Sequence, residues 1–230
     1  MSLPLATYLD QSHAWPAEGR HILAQYDEQS VVVYQAYSPA IGWFAAEHGY
    51  FGGDFRYTRM SWIKPNFLWM MYRSAWGTKP GQEVTLAVRL RRDFFDRLLA
   101  QAVPSGFDPG LYPDAGAWRV AVATSDVRLQ WDPDHDPSGA PLARRALQLG
   151  LRGAALEEYG RAALLGVEDI SAFVAGQRQH ALSGAYAELL TPRERVYLPR
   201  DEGIARRLKL APVPYGITPR CPSPSRGSTS

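Results

Sequence analysis

The sequence predicts an α+β fold, a single domain with a mixed sheet around a buried central helix. Three observations lead there. Short β-favouring runs alternate with helical stretches, hairpin-like patterns lie towards both ends of the chain, and no glycine-rich strand-to-helix turn of the dinucleotide-binding type occurs. With 46% apolar side chains among 230 residues, disorder as the dominant state is excluded. No window approaches the ~18 apolar residues of a membrane span, and the first residues lack the basic and apolar regions of a secretory signal. A soluble, cytoplasmic protein with no membrane partner is therefore expected. The single cysteine, Cys221, excludes a disulfide framework and a cysteine-based zinc site.

The elements follow in chain order. Residues 21–26 and 31–37 are β-favouring runs around Asp27-Glu28-Gln29-Ser30, the pattern of a hairpin. Ser38-Pro39 starts a helix to about His48, since serine caps and proline suits the first turn. Residues 59–64 form a plausible strand. Pro65-Asn66 then opens a helix through Trp76, closed by Gly77, and its apolar residues on almost every face predict the buried central helix. A strand over 83–90 precedes an amphipathic helix over 93–103. A strand is expected over 127–131, a turn-rich loop over 132–139, and helices over 141–151, 154–165 and 168–190. A short strand over 196–198 and a helix over 204–210 complete the domain, residues 1–210. From Ala211 the chain holds five prolines and four serines, so 211–230 is expected to be a disordered tail.

Charge is segregated along the chain. Residues 1–55 carry 1 basic and 6 acidic side chains, 56–100 carry 9 and 3, 101–170 carry 6 and 10, and 171–230 carry 9 and 4. If the basic blocks meet they make a surface for a phosphate-bearing partner; if they face the acidic blocks they neutralise each other. Residues 55–82 contain no acid at all. Arg56, Arg59, Lys64, Arg73 and Lys79 are interleaved there with Tyr57, Trp62, Phe67, Trp69, Tyr72 and Trp76. Cations beside aromatic faces are the ingredients for stacking a base or nicotinamide ring while neutralising phosphate. Phe67, Trp69, Met70 and Met71 fit the core better than a site. For Arg59, Lys64 and Arg73 a structural carboxylate and a ligand phosphate are equal explanations. The helix N-terminus after Lys64 offers free N–H groups to an anion.

Elsewhere the signals are thinner. Tyr34-Gln35 ends a strand with an amide that offers a donor and an acceptor, although two packed tyrosines with an exposed glutamine describe it somewhat better. Residues 132–139 (DPDHDPSG) fail the calcium-loop pattern, because Pro137 and Ala143 stand where glycine and glutamate are needed; a turn capped by aspartates is expected, with no metal. Arg144, Arg145 and Arg152 lie close enough in sequence to pair with these acids or to face a second phosphate. Glu194 stands among arginines ahead of the last strand, either paired with one of them or free to polarise a ribose hydroxyl. No nucleophile elbow, P-loop or Ser-His-Asp order is present.

The runs VVVYQAYSPAI, RMSWIKPNFLWMMYRSAWGTKPGQE and VRLQWDPDHDPSGAPLARRALQLGLRG together resemble the family called domain of unknown function 4291, over about residues 21–210. A weaker likeness is to the NAD-dependent ADP-ribosyltransferases. In that superfamily a first strand ends in an aromatic and a polar residue, a later segment stacks an aromatic on nicotinamide, and a glutamate precedes a late strand. Tyr34-Gln35, residues 38–49 as the intervening helix and glycine-bearing loop, Ser61-Trp62 with Tyr72, and Glu194 stand in those places. Gln35 replaces the usual histidine or arginine, and the middle Ser-Thr-Ser is missing. The likeness implies NAD as cofactor, with Gln35 and Glu194 as catalytic residues and Tyr34, Arg59, Trp62, Lys64, Tyr72 and Arg73 binding it. The alternatives are a non-catalytic domain that binds RNA or single-stranded DNA through the same segment, and a structural or protein-interaction domain with the tryptophans in its core.

Overall fold

A computed structural model describes residues 3–212. Of the stretch expected to be a tail, residues 213–230 lie outside the described residues. The elements in order are β1 (Leu5–Thr7), α1 (Tyr8–Ala14), β2 (Gly19–Arg20), β3 (Ile22–Ala24), β4 (Ser30–Tyr37), α2 (Pro39–His48), β5 (Ser61–Ile63), α3 (Phe67–Ser74), β6 (Val84–Arg91) and α4 (Arg92–Gln101). They continue with β7 (Val103–Pro104), α5 (Ala115–Thr124), β8 (Val127–His135), β9 (Pro141–Leu151), α6 (Gly153–Gly160), β10 (Leu164–Asp169), α7 (Ser171–Ser183), β11 (Leu190–Pro192), β12 (Arg195–Tyr197) and α8 (Glu202–Arg207). The class is α+β, as the sequence predicts.

Two sheets carry the fold. In the first, β6 is the middle strand, antiparallel to β4 from Ser30↔Arg91 to Tyr37↔Val84 and to β10 on its other side. In the second, β9 is central: β8 and β5 pair with it antiparallel and β2 parallel, while β7 lies parallel to β8. Strand side chains alternate between faces, so β4 divides two apolar cores. Val31 and Val33 enter one, with Leu86 and Val88 of β6, Phe94 and Leu98 of α4, Leu156 and Tyr159 of α6, and Leu147, Leu149 and Leu151 of β9. Val32 and Tyr34 enter the other, with Phe67, Leu68, Met70 and Met71 of α3 and Val174 of α7.

The expected central helix is α3. Phe67 to Met71 and Ser74 are buried, whereas Tyr72 and Arg73 are exposed, and the helix packs against β4 of one sheet and β8 of the other. Asn66 caps it by accepting from Trp69 N–H at 2.6 Å. The hairpin of β3 and β4 is closed by Asp27, whose carboxylate accepts from the N–H groups of Gln29 and Ser30.

Three expectations are corrected. Residues 141–151 are not a helix but the long central strand β9. Their Ala, Arg and Leu favour a helix locally, but Leu147, Leu149 and Leu151 repeat every second residue, and pairing with β8 overrides propensity. The helix expected over 154–165 ends at Gly160, and residues 164–169 form edge strand β10 instead, which delays the next helix to Ser171. The loop expected over 132–139 is cut to its second half, because β8 runs on to His135. Helix α5, capped by Asp114, meets no expected element and has no buried residue. Among the described residues no helix is long and apolar enough to cross a membrane.

Candidate functional site

Among the described residues, the backbones of the two sheets are hydrogen-bonded to each other at a single residue pair. Tyr34 N–H donates to the Lys64 carbonyl at 2.7 Å and Lys64 N–H to the Tyr34 carbonyl at 3.3 Å, an isolated antiparallel bridge. Beyond it the strands part, β4 following β6 and β5 following β9. Parting strands strand their backbone groups, and Gln35 repairs part of the loss. Its Nε2 donates to the Trp62 carbonyl at 3.0 Å and to Ser61 Oγ at 2.9 Å, and its Oε1 accepts from Tyr159 O–H at 2.5 Å. Tyr37 O–H and Ser61 Oγ are 2.6 Å apart. Gln35 is thus a buried strap with both amide hydrogens and its oxygen engaged.

A cavity of about 390 Å³ opens at this split, lined by Gln35, Tyr37, Ser61, Trp62, Lys64, Met70, Arg73 and the further glutamines Gln82, Gln130 and Gln148. Trp62 of β5 and Lys64 just beyond its end project from the same face, Gln130 from β8, Gln148 from β9, and Arg73 from the last turn of α3. Lys64 is only 5% exposed, and no ion pair or hydrogen bond to its ammonium is present among the described residues. Burial pushes it down from 10.5 to about 8; repulsion from Arg73 adds to this, and attraction to Asp132 opposes it. Arg73 and Arg59 likewise have no ion pair there.

The residues singled out by sequence distribute as follows. Gln35, Trp62, Lys64 and Arg73 line the one cavity. Arg59 is exposed and does not line it. Tyr34 is fully buried on the opposite face of β4, edge-on to Phe67 at 5.4 Å, its hydroxyl without a partner. Tyr72 lies on the other flank of α3, stacked on His135 with ring centres 3.6 Å apart, beside a separate cavity of about 420 Å³. Glu194 sits under the start of α3. Its Oε1 accepts from Phe67 N–H at 2.6 Å, so the helix terminus expected to attract an external anion already holds an internal carboxylate. Burial raises the Glu194 carboxyl well above the usual range. The bond from Phe67 N–H and the charge of Arg144 counter that rise, and the charge of Asp134 adds to it.

The acidic stretch after Trp131 is structural. Asp134 forms a buried ion pair with Arg144 at 2.6 Å, and Asp136 caps its own turn through Ser138 N–H and Ala140 N–H. Tyr159, Gln130 and Gln148 escaped the sequence reading. The alternation of Gln130 with Leu129 and of Gln148 with Leu147 and Leu149 was the available signal, and a helix over 141–151 concealed half of it.

Fold and cavity define a class: an α+β protein with a buried, unpaired cation facing a glutamine-lined cleft between two sheets. More specifically, the chain belongs to the family described as domain of unknown function DUF4291, whose model matches residues 21–197, from the start of the first hairpin to the end of β12. Comparison with curated proteins returns no match.

Proposed function

We propose that the cleft binds a small phosphate-bearing molecule of the nucleotide type. The observation that carries this reading is Lys64, a buried ammonium facing a cavity with no carboxylate bonded to it. Burying a charge without a partner costs several kcal/mol, a cost that an anionic ligand offsets. Arg73 beside it supplies a second cation with the planar fork that suits phosphate.

Stacking of single-stranded RNA or DNA fits less well, because Phe67, Trp69 and Trp76 are buried and present no row of rings. NAD is one ligand of the proposed class. Transfer of its ADP-ribose would require Glu194 to reach the reacting ribose, whereas its carboxylate is held under α3; binding is therefore the part of that chemistry the geometry favours.

Calorimetric titration of pyrophosphate, ADP and NAD into the protein tests the proposal. Lys64→Met or Arg73→Ala is expected to weaken binding by about tenfold or more, the range of a charge-assisted hydrogen bond. If the unaltered protein binds none of the three, the reading fails. Chromatography of the NAD samples for released nicotinamide, with Glu194→Gln alongside, separates binding from transfer.

A further inference from the structure

Resting on the phosphate reading above, we propose that the same cleft recognises a planar ring bearing an adjacent hydrogen-bond acceptor and donor, the edge of a nucleobase or a pyridine carboxamide, through Gln130, Gln148 and Trp62.

The orientation of the two amides follows from one carboxylate. Asp132 can only accept, so the group of Gln148 that meets its Oδ2 at 2.6 Å is the Nε2 amine. That same Nε2 donates to Gln130 Oε1 at 3.0 Å, which leaves the Gln130 amine unbonded to Gln148. Two groups are left over. Gln130 Nε2 has hydrogens to donate, Gln148 Oε1 has lone pairs to accept, and neither has a protein partner among the described residues.

The two residues are neighbours by construction. Gln130 and Gln148 face each other directly across the β8–β9 ladder, on the side opposite the leucines, and both line the cavity. Side by side, a donor and an acceptor match a ligand edge with the reverse order, as glutamine does against adenine. Two residues along β9 on the same face, Gly150 pairs with Trp62. The Met60 and Trp62 side chains lie over it so closely that a Cβ there would meet Met60 Sδ at 2.7 Å and indole carbons at 3.0 Å. The indole is thereby fixed beside the glutamine pair as a surface for a ring, with Lys64 and Arg73 within the same cavity for its phosphate.

The test compares three ligands by calorimetry: ribose 5-phosphate, which lacks a ring edge, adenosine monophosphate, and nicotinamide mononucleotide. Either nucleotide is expected to bind about tenfold or more tightly than ribose 5-phosphate. The one that does so identifies the base or the carboxamide as the source. Gln130→Met keeps the side-chain length and deletes both the outward donor and the Oε1 that accepts from Gln148, whose amine still has Asp132 to hold it. It should abolish this advantage and leave ribose 5-phosphate binding, which rests on Lys64 and Arg73, unchanged. Gln148→Met should do the same, with melting curves confirming that each variant is folded. Equal affinity for all three ligands, or an advantage that survives in Gln130→Met, overturns the inference while the phosphate reading stands. Failure of all three to bind removes the phosphate reading and this inference with it.

Discussion

A lysine held near 8 in place of 10.5 is a stability statement as well as a binding one. At neutral pH its folded form carries a penalty of order 3 kcal/mol, at ~1.4 kcal/mol per tenfold change in proton affinity. Between pH 8 and 10.5 the unfolded chain keeps a proton that the folded chain has released, so the native state gains stability as pH rises through that window. Lys64→Met should accordingly raise the melting temperature at pH 7 by several degrees, at ~2–4 °C per kcal/mol for a chain of this size. The gain should shrink towards pH 10. Melting curves at both pH values measure it, and a lower melting temperature at pH 7 would mean that an internal partner holds the ammonium. A residue that costs stability and is needed for binding has the signature of a functional group. Lys64, Arg73 and Trp62 were legible beforehand because an acid-free, aromatic segment stands out in composition. The internal duties of Gln35 and Glu194 were not, since Tyr159 and the Phe67 N–H reach them from elements 124 and 127 residues away in the chain.

At the scale of elements, the floor of the cleft depends on one glycine. Strand β5 is three residues long, and its Trp62 pairs with Gly150, where a methyl group would intrude on the indole and on Met60. Gly150→Ala should displace the indole from the cleft. The expected result is a loss of about tenfold in nucleotide affinity, the worth of a ring contact, with phosphate binding nearly unchanged. Titration of the variant with adenosine monophosphate and pyrophosphate measures both. An unchanged nucleotide affinity would show that the ring surface is not used. The same strand pair marks where sequence patterns stop informing. The helix with its apolar run, the capped hairpin and the Ser38-Pro39 start are written locally, and α3, β3–β4 and α2 formed where expected. Strand β9 carries helix-favouring residues and becomes a strand only because β8, β5 and β2 pair with it; those are long-range events absent from any local window.

Across the whole molecule, pairing between blocks consumes part of the segregated charge: four of the ten ion pairs among the described residues join different blocks. Arg89 meets Asp27, and both Arg91 and Arg97 meet Glu158, so three of the four arginines in the later half of the basic block at 56–100 reach acids of its neighbours, Arg91 and Arg97 also meeting Asp93 within the block. Among the described residues, Arg56, Arg59, Lys64 and Arg73 have no ion-pair partner, and two of these four face the seam where the sheets separate. A ligand there touches β5, β8 and β9 of one sheet and α3 above them, so its binding energy adds to the cohesion of the domain. At a concentration of one hundred times Kd the added stability is about 2.7 kcal/mol, or roughly 5–10 °C in melting temperature. The gain should depend on pH in a defined direction. The anion needs Lys64 protonated, which is satisfied at pH 7 and lost above about 8. At pH 9.5 affinity falls by up to about thirtyfold, and the same ligand concentration then adds only about 2–3 °C. Melting curves with and without adenosine monophosphate at the two pH values measure the difference directly. In Lys64→Met the residual shift should be small and equal at both. A ligand-induced shift of the same size at pH 7 and 9.5 in the unaltered protein would place the bound anion away from Lys64, on Arg73 or elsewhere, and would separate the seam from the function proposed for it.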